Sequence, residues 1–256
     1  MRRIRLIVEY DGTDFIGWQI QKNGVSVQQR LGEALRDVTG EEICVHGSGR
    51  TDSGVHARAQ VVHFDTGVRM PADKFAVAMN MRLPNSIRVL FSEETNQDFH
   101  ARFSVLEKSY RYSIQLGPHA RVQTSGTALH VHVPLDIDAL HAAAKEILGT
   151  HDFTAFMAAG SSTENAVRTI LQSEWLQQGS YLYYDVTGTG FLYNMVRILV
   201  GTMLEIAQDK RSSGAIAQAL VSGKRTDAGS TAPARGLCLM RVRYEGFDTE
   251  TVLQKL

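Results

Sequence analysis

The sequence has few of the features that define several large classes of protein. Only two cysteines, Cys44 and Cys238, occur in 256 residues, which excludes a disulfide framework and predicts a reducing, cytoplasmic setting. Glycine and proline, 22 and 5 residues, are too few for a collagen-like or low-complexity chain. No apolar run approaches the roughly 20 residues of a membrane-spanning helix. The apolar stretch after the first arginines is also too short for a signal peptide.

The chain has no excess of either charge, since 27 Lys and Arg residues balance 27 Asp and Glu residues. Many nucleic-acid-binding proteins carry a basic excess, so the net charge argues mildly against one. However, 20 of the 27 basic residues are arginine, whose planar fork suits bidentate contacts with phosphate. The base composition of a genome is the commoner cause of such a bias. Any basic surface must therefore come from local clustering.

Apolar periodicity and turn residues predict two successive runs of strand, helix, strand, strand, helix and strand. The first run comprises strands 4–10, 43–46, 60–65 and 87–91 with helices 26–39 and 71–83. The second comprises strands 103–116, 170–176, 181–186 and 236–244 with helices 136–148, 191–208 and 215–220. This order is typical of ferredoxin-like units. It predicts an α+β fold with mainly antiparallel sheets, divided into halves 1–102 and 103–256.

A glycine-rich loop between the second and third strands is the most unusual segment, and it reads His46-Gly-Ser-Gly-Arg-Thr-Asp-Ser-Gly-Val-His56. It has no Gly-Lys-Ser/Thr ending and leads into a strand, which excludes both the P-loop and the Rossmann fingerprint. The loop would present Arg50 and Asp52 at its tip, where Asp52 could act as a nucleophile or a general base. Glycoside hydrolysis fits poorly, because no second acid lies nearby in sequence. A surface turn with a local ion pair is the alternative, and spacing alone slightly favours it.

Two further segments combine cations with apolar or aromatic side chains. On the strand Lys108-Ser-Tyr-Arg-Tyr112, the two tyrosines point to one side,. They could stack on RNA bases, although ordinary core tyrosines are the commoner explanation. Arg197 lies in the most apolar helix, so it requires a carboxylate or phosphate partner unless it reaches solvent.

The nine histidines are scattered along the sequence. His130 and His132 would share one face of a strand, but no Cys, Asp or Glu residues complete a convincing metal site around them. The sequence therefore predicts no metal.

Taken together, these segments resemble the tRNA pseudouridine synthase A family over almost the whole chain. The most specific shared motif is Gly49-Arg-Thr-Asp-Ser-Gly-Val-His-Ala57. The other matching pieces are Tyr10-Asp-Gly-Thr13, Gly17-Trp-Gln19, Gln60-Val-Val-His-Phe64, Phe99-His-Ala-Arg-Phe103, Lys108-Ser-Tyr-Arg-Tyr112, Asp152-Phe153, Val167-Arg-Thr169, Gly190-Phe191 and Asn194-Met-Val-Arg197.

The resemblance implies an isomerase without a cofactor that converts uridine to pseudouridine in the anticodon stem-loop of tRNA, at positions 38, 39 and/or 40. It also implies two ferredoxin-like halves flanking a central basic cleft, a homodimer, tRNA as partner and no membrane association.

The resemblance also implies roles for individual residues. Asp52 matches the catalytic aspartate of the family, and Tyr110 matches the tyrosine that packs on the target base. Arg50 and Arg197 match arginines near the carboxylate and the RNA backbone. Arg58 and Arg168, which lie in or beside matching motifs, are predicted to bind substrate as well.

The chain departs from the family pattern at Met157, where many relatives have a polar or basic residue, and in segment 160–166, where the usual cysteine is missing. Both departures bear on substrate range rather than on reaction type.

The sequence leaves two questions open, the chemical role of Asp52 and the function class. Asp52 could attack C1′, attack the base or remove the 2′ proton. A non-catalytic RNA-binding module and an Asp-dependent N-glycosidase are the two alternative functions, and the intact motif with both Arg50 and Asp52 favours the isomerase over either.

Overall fold

The computed structural model describes residues 1–160, 163 and 165–256, and it confirms a mixed α+β fold. The strands in this part of the chain are β1 (Arg2–Tyr10), β2 (His46–Gly47), β3 (His56–Thr66), β4 (Ile87–Thr95), β5 (Glu107–Leu116), β6 (Leu129–Val131), β7 (Gly149–Asp152), β8 (Val167–Gln178), β9 (Tyr181–Gly188), β10 (Leu237–Tyr244) and β11 (Phe247–Asp248). The α-helices are α1 (Val27–Thr39), α2 (Lys74–Asn80), α3 (Ile137–Lys145), α4 (Met195–Ala207), α5 (Ala215–Ser222) and α6 (Thr249–Leu253). None of the helices so described is long and apolar enough to cross a membrane.

The chain forms two compact units, residues 1–108 with 238–256 and residues 109–237. These differ from the predicted halves 1–102 and 103–256 chiefly at the C terminus. Strand β10 belongs to the first unit because it pairs in parallel with β3, with Cys238 opposite His56. The predicted division considered only the order of elements along the chain, and a parallel pairing between distant segments leaves no local signal.

The first unit is built on a sheet with strand order β4-β1-β3-β10. Strand β1 pairs antiparallel with both neighbours, and Ile7 lies opposite Val61 of β3 and Phe91 of β4. The sheet carries β2 and β11 as short additions to β3 and β10. Phe75 of α2 packs edge-on against Phe64 of β3 at 5.4 Å between ring centroids. The predicted order of strands and helices over residues 1–95 is thus confirmed.

Local sequence signals account for both ends and for the buried face of helix α1. The hydroxyl of Ser26 accepts a hydrogen bond from the Gln29 amide at 3.2 Å, as an N-cap should,. Leu31 and Leu35, one turn apart, are fully buried,. The helix ends at Gly40, whose φ of 74° suits a residue without Cβ,.

The second unit is built on strands β5-β9-β8-β7, with β6 in parallel beside β5. Strands β8 and β9 form the predicted hairpin, in which Trp175 lies opposite Tyr184. Helix α4 is almost entirely buried and contacts α3. The short strand β7 was not predicted, and β6 was anticipated only as a strand around His130, because three or four residues carry too little periodicity to identify,.

Several predicted bounds were wrong by a turn or less of helix or a few residues of strand. At 43–46 only His46 and its neighbour Gly47 are in a strand, while the strand predicted at 60–65 begins at His56 and the helix predicted at 191–208 begins at Met195. Helix α2 begins at Lys74 rather than at 71, because the Pro71 carbonyl oxygen accepts the Lys74 amide in a separate preceding turn.

Candidate active site

Asp52 lies in the loop that joins β2 to β3, where it is half-buried. The Val55 amide donates to the Asp52 carbonyl oxygen at 3.1 Å, which closes a tight turn. Gly54 takes a φ of 76° inside this turn, a conformation that favours glycine,. The sequence Asp-Ser-Gly therefore encodes a bend with the carboxylate at its first corner.

The residue before Asp52 is anchored on both its side chain and its backbone. The hydroxyl groups of Tyr10 and Thr51 are 2.8 Å apart and buried, and the Trp18 amide donates to the Thr51 carbonyl oxygen at 3.0 Å. Burial raises the pKa of Tyr10 above its usual value, so the phenol stays protonated and can donate. Because Thr51 is bonded directly to Asp52, these contacts restrict where the carboxylate can lie.

Gly17 packs against the backbone of the same bend. Its φ is 100°, and a Cβ at this position would lie 2.5 Å from the Thr51 carbonyl oxygen and 3.0 Å from the Asp52 carbonyl carbon. The segment also bonds to the far side of the bend, since the Phe15 carbonyl accepts from the Gly54 amide at 3.3 Å. Only glycine permits this close backbone approach.

A second set of contacts holds the beginning of the loop. The amide nitrogen of Gln60 donates to the Gly49 carbonyl oxygen at 2.8 Å, and its amide oxygen accepts from the Ser48 hydroxyl at 2.5 Å. The ammonium group of Lys108 donates to the Ser48 carbonyl oxygen at 2.6 Å. Gln60 and Ser48 are fully buried, so the loop starts from a fixed point on β3.

Arg50 and Arg58 flank Asp52 in sequence, and both are exposed. Arg50 lies in the loop and Arg58 on β3. Exposed guanidinium groups can reach a ligand phosphate at little desolvation cost.

Tyr110 of β5 is buried and packs edge-on against Phe191, with 5.1 Å between the ring centroids. Tyr112, two residues along the strand, is fully buried and donates its hydroxyl hydrogen to the Pro233 carbonyl oxygen at 2.8 Å. The predicted common side of the two tyrosines is therefore confirmed. Tyr112 is a core residue, whereas Tyr110 forms an aromatic pair with Phe191.

Arg168 of β8 lies against Gly190, where a Cβ would be 3.4 Å from its Cδ and Nε atoms. Its guanidinium group donates to the backbone carbonyls of Asn165 at 2.9 Å and Val167 at 2.6 Å. Burial lowers the pKa of Arg168 from its usual value, but an arginine remains charged at neutral pH. Gly190 thus provides the space in which this cation is held.

Arg197 lies on α4 and is half-buried. It donates from Nε to the Ala232 carbonyl oxygen at 2.8 Å and from Nη1 to the Asn194 side-chain oxygen at 2.7 Å. Asn194 precedes the helix with a φ of 60°, a left-handed conformation that asparagine tolerates better than most residues,. These two oxygens orient the guanidinium group, and the predicted carboxylate or phosphate partner of Arg197 stays a prediction,.

The six predicted site residues are divided between the two units. Arg50, Asp52 and Arg58 belong to the first unit, whereas Tyr110, Arg168 and Arg197 belong to the second. Met157 follows a short 3-10 helix at Thr154–Phe156 and is half-buried. Of the predicted departure 160–166, residues 161, 162 and 164 lie outside the described residues. Within the described part, no three His, Cys, Asp or Glu side chains form a group that could hold a metal ion.

Sequence reasoning did not assign positioning roles to Tyr10, Gly17, Thr51, Gln60 and Lys108. All five fall inside or beside the motifs that carry the family resemblance. The partner of each is distant in sequence, so only the structure identifies the contacts.

Comparison with known proteins identifies the family of the chain. The family model described as tRNA pseudouridine synthase matches residues 6–104 and 143–245. A tRNA pseudouridine synthase A of Brevibacillus brevis is 47% identical over 95% of this chain and 100% of its own length. A protein of the same name from Halalkalibacterium halodurans is 48% identical over 93% of this chain and 90% of its own. One from Acetivibrio thermocellus is 43% identical over 95% and 100%. The chain therefore belongs to the tRNA pseudouridine synthase A family.

Proposed function

We propose that this protein isomerises uridine to pseudouridine in the anticodon stem-loop of tRNA, at positions 38, 39 and/or 40, with Asp52 as the catalytic carboxylate. The coarser part, an isomerase that acts on uridine in tRNA, follows from membership of the family. The observation that carries the assignment of Asp52 is the bracing of its loop by Tyr10, Gly17 and Gln60. A loop of this kind on a rigid scaffold is a common place for a catalytic group.

The reaction requires a group that acts on the nucleotide without delivering water. The bond from C1′ to N1 breaks, the uracil turns, and C1′ bonds to C5. The hydrogen of C5 leaves as a proton and N1 gains one, so the product has the same composition as the substrate. A carboxylate fixed in position suits this chemistry, whether it attacks C1′, attacks the base or removes the 2′ proton.

We propose that the target base stacks beside the aromatic pair formed by Tyr110 and Phe191. Stacking on an aromatic ring stabilises a base that has left the helix and offsets the few kcal/mol lost on unstacking. The surrounding apolar residues of the segment that leads into α4 exclude water while the base is detached. Without that exclusion, hydrolysis at C1′ would compete.

Arg50, Arg58, Arg168 and Arg197 are proposed to bind the RNA backbone. Arg50 and Arg58 are exposed, and the hydrogen bonds that Arg168 and Arg197 donate orient their guanidinium groups. Binding should therefore weaken steeply as salt is raised, because each phosphate contact releases counterions. We further propose that the protein is a cytoplasmic homodimer.

The decisive assay is tritium release from tRNA that contains 5-tritiated uridine, because formation of the C1′–C5 bond displaces the label. Asp52→Asn should abolish release while tRNA binding, measured by filter retention, stays close to that of the wild type. Asp37→Asn is the matched control, because it removes an exposed carboxylate from α1, outside the loop. An active Asp52→Asn variant would refute the assignment of the catalytic group.

Two further measurements distinguish the alternative functions and identify the modified tRNA positions. An N-glycosidase would liberate free uracil, and an RNA-binding module would bind tRNA without releasing tritium. Sequencing of carbodiimide-treated tRNA from cells with and without the protein identifies the modified positions. Modification outside positions 38–40 would refute the proposed substrate site.

A further inference from the structure

Four aromatic rings lie in contact in the first unit, on β2, on β3 and in the segment after β4. His46 stacks on His63 at 4.8 Å, His63 contacts His100 at 4.6 Å, and His100 contacts Phe103 at 4.3 Å between ring centroids. His63, inside the row of rings, is buried, whereas Phe103 at one end is 76% exposed. We call these four residues the His–Phe stack.

Hydrogen bonds to His100 hold the turn that carries Phe103, the exposed ring of the stack. His100 accepts backbone N–H hydrogen bonds at Nδ1 from Arg102 at 3.1 Å and from Phe103 at 3.3 Å. The turn is closed by Ser104, whose amide donates to the His100 carbonyl at 3.0 Å. His100 therefore supports the phenyl ring from one side, and little conformational freedom remains to be lost when a second ring binds on the other face of Phe103.

A cation lies beside the exposed phenyl ring of the stack. The guanidinium carbon of Arg102 lies 5.7 Å from the centroid of the Phe103 ring. Burial lowers the pKa of His100, and so do the positive charges of His46, Arg3 and Arg102. The nearby carboxylate of Asp65 is engaged by Arg3 at 2.7 Å. Arg102 therefore places a positive charge beside an exposed aromatic ring, a combination that favours an anionic ligand with a flat apolar surface.

We propose that the His–Phe stack is an accessory nucleobase platform, on which an unpaired base of the tRNA substrate stacks against Phe103 while an adjacent phosphate faces Arg102. Proteins that bind single-stranded RNA combine aromatic rings with cations in this way. An apolar protein partner fits less well, because it would bury the guanidinium group without a counter-charge. This inference depends on the proposed function for tRNA as ligand, but it does not depend on catalysis by Asp52.

The test compares tRNA affinity among variants of the full-length protein. Phe103→Leu keeps an apolar side chain but removes the π face, and Phe103→Tyr keeps that face. We expect Phe103→Leu to raise the Kd for tRNA roughly five- to a hundredfold, which corresponds to the loss of one base–aromatic stack. Phe103→Tyr should stay within about twofold of the wild type if one ring face supplies the contact. Val77→Ala is the control, because Val77 is a large apolar residue of α2 that is 62% exposed.

A second readout separates this platform from the catalytic site. In single-turnover experiments at saturating tRNA, Phe103→Leu should release tritium at the wild-type rate, because the platform acts on affinity alone. Unchanged tRNA affinity in Phe103→Leu would overturn the inference. If the same variant also shifted from dimer to monomer, Phe103 would belong to the dimer interface instead. If the wild type binds tRNA but releases no tritium, the proposed function fails while the platform can still be observed by binding.

Discussion

Gly17 is the position where one added methyl group should test most directly whether the bracing of the loop positions Asp52. In Gly17→Ala, the new Cβ would lie 2.5 Å from the Thr51 carbonyl oxygen and 3.1 Å from the Ser53 nitrogen, while the backbone keeps its φ of 100°. Both atoms belong to the bend that carries Asp52, so the bend must move if the variant folds.

The expected magnitude has two parts. A left-handed backbone conformation costs a residue with a Cβ about 1–2 kcal/mol, and forcing an extra methyl group into a packed region costs about 1–3 kcal/mol. The free energy of unfolding should therefore fall by about 2–5 kcal/mol. Relief of the overlap requires displacing the Asp52 backbone by several tenths of an ångström or more. A misplacement of a reacting group by about 1 Å can cost about a hundredfold in rate, and we expect kcat to fall by about ten- to a hundredfold.

Two other glycines of the same unit provide matched controls. Gly40 has a φ of 74°, and a Cβ added there would have no heavy atom within 4 Å, so Gly40→Ala carries the conformational cost without the overlap. Gly32 lies inside α1 with open space around it, so Gly32→Ala should stabilise the protein by about 1 kcal/mol. Urea denaturation and single-turnover tritium release measure both quantities. Wild-type kcat in Gly17→Ala, with Asp52→Asn inactive, would refute the claim that this contact positions the carboxylate.

Three further predictions concern groups that the structure places in defined contacts. Tyr10→Phe should destabilise the protein by about 1 kcal/mol and slow turnover, because Thr51 loses its buried partner,; equal turnover in both proteins would contradict this. Burial lowers the pKa of His63 to about 3. The unfolded chain therefore binds a proton at this histidine near pH 6.5, whereas the folded protein does not. The free energy of unfolding should consequently fall as the pH is lowered from 6.5 to 3,. His63→Asn should lose part of that pH dependence in urea denaturation. The hydrogen bond from Arg241 lowers the pKa of Asp248, so its contribution should be present above about pH 4 and lost below it; Asp248→Asn should therefore be less stable than the wild type at neutral pH and indistinguishable from it in strong acid.

The secondary structure was predicted best where local chemistry decides it. Helix α1 begins after Ser26 and ends at Gly40 because both caps are encoded within the segment itself,. The hairpin of β8 and β9 was likewise predicted from its alternation and the intervening turn. By contrast, the assignment of β10 to the first unit depends on pairing with β3, whose residues lie far away along the chain. Non-local pairing of this kind cannot be derived from periodicity.

The candidate site was predicted unevenly for a similar physical reason. Spacing identified the loop with Arg50 and Asp52 as unusual but could not distinguish it from a surface turn. The resemblance supplied the functional interpretation. The contacts that brace the loop from Tyr10 and Gly17 join it to segments that lie much earlier in the chain. Such contacts are visible only once the strands have been brought together.

These bracing contacts also explain how a loop can hold a catalytic group in a fixed position. Loops are usually the mobile part of a scaffold, yet here hydrogen bonds reach the loop at Ser48, Gly49, Thr51 and Gly54. Because these contacts fall on both sides of Asp52, rotation of the intervening peptide would break several of them together. The backbone that carries Asp52 is therefore held in place from both sides. Catalytic substitutions at Asp52 should consequently leave the fold intact, whereas substitutions at the bracing residues should affect stability and turnover together.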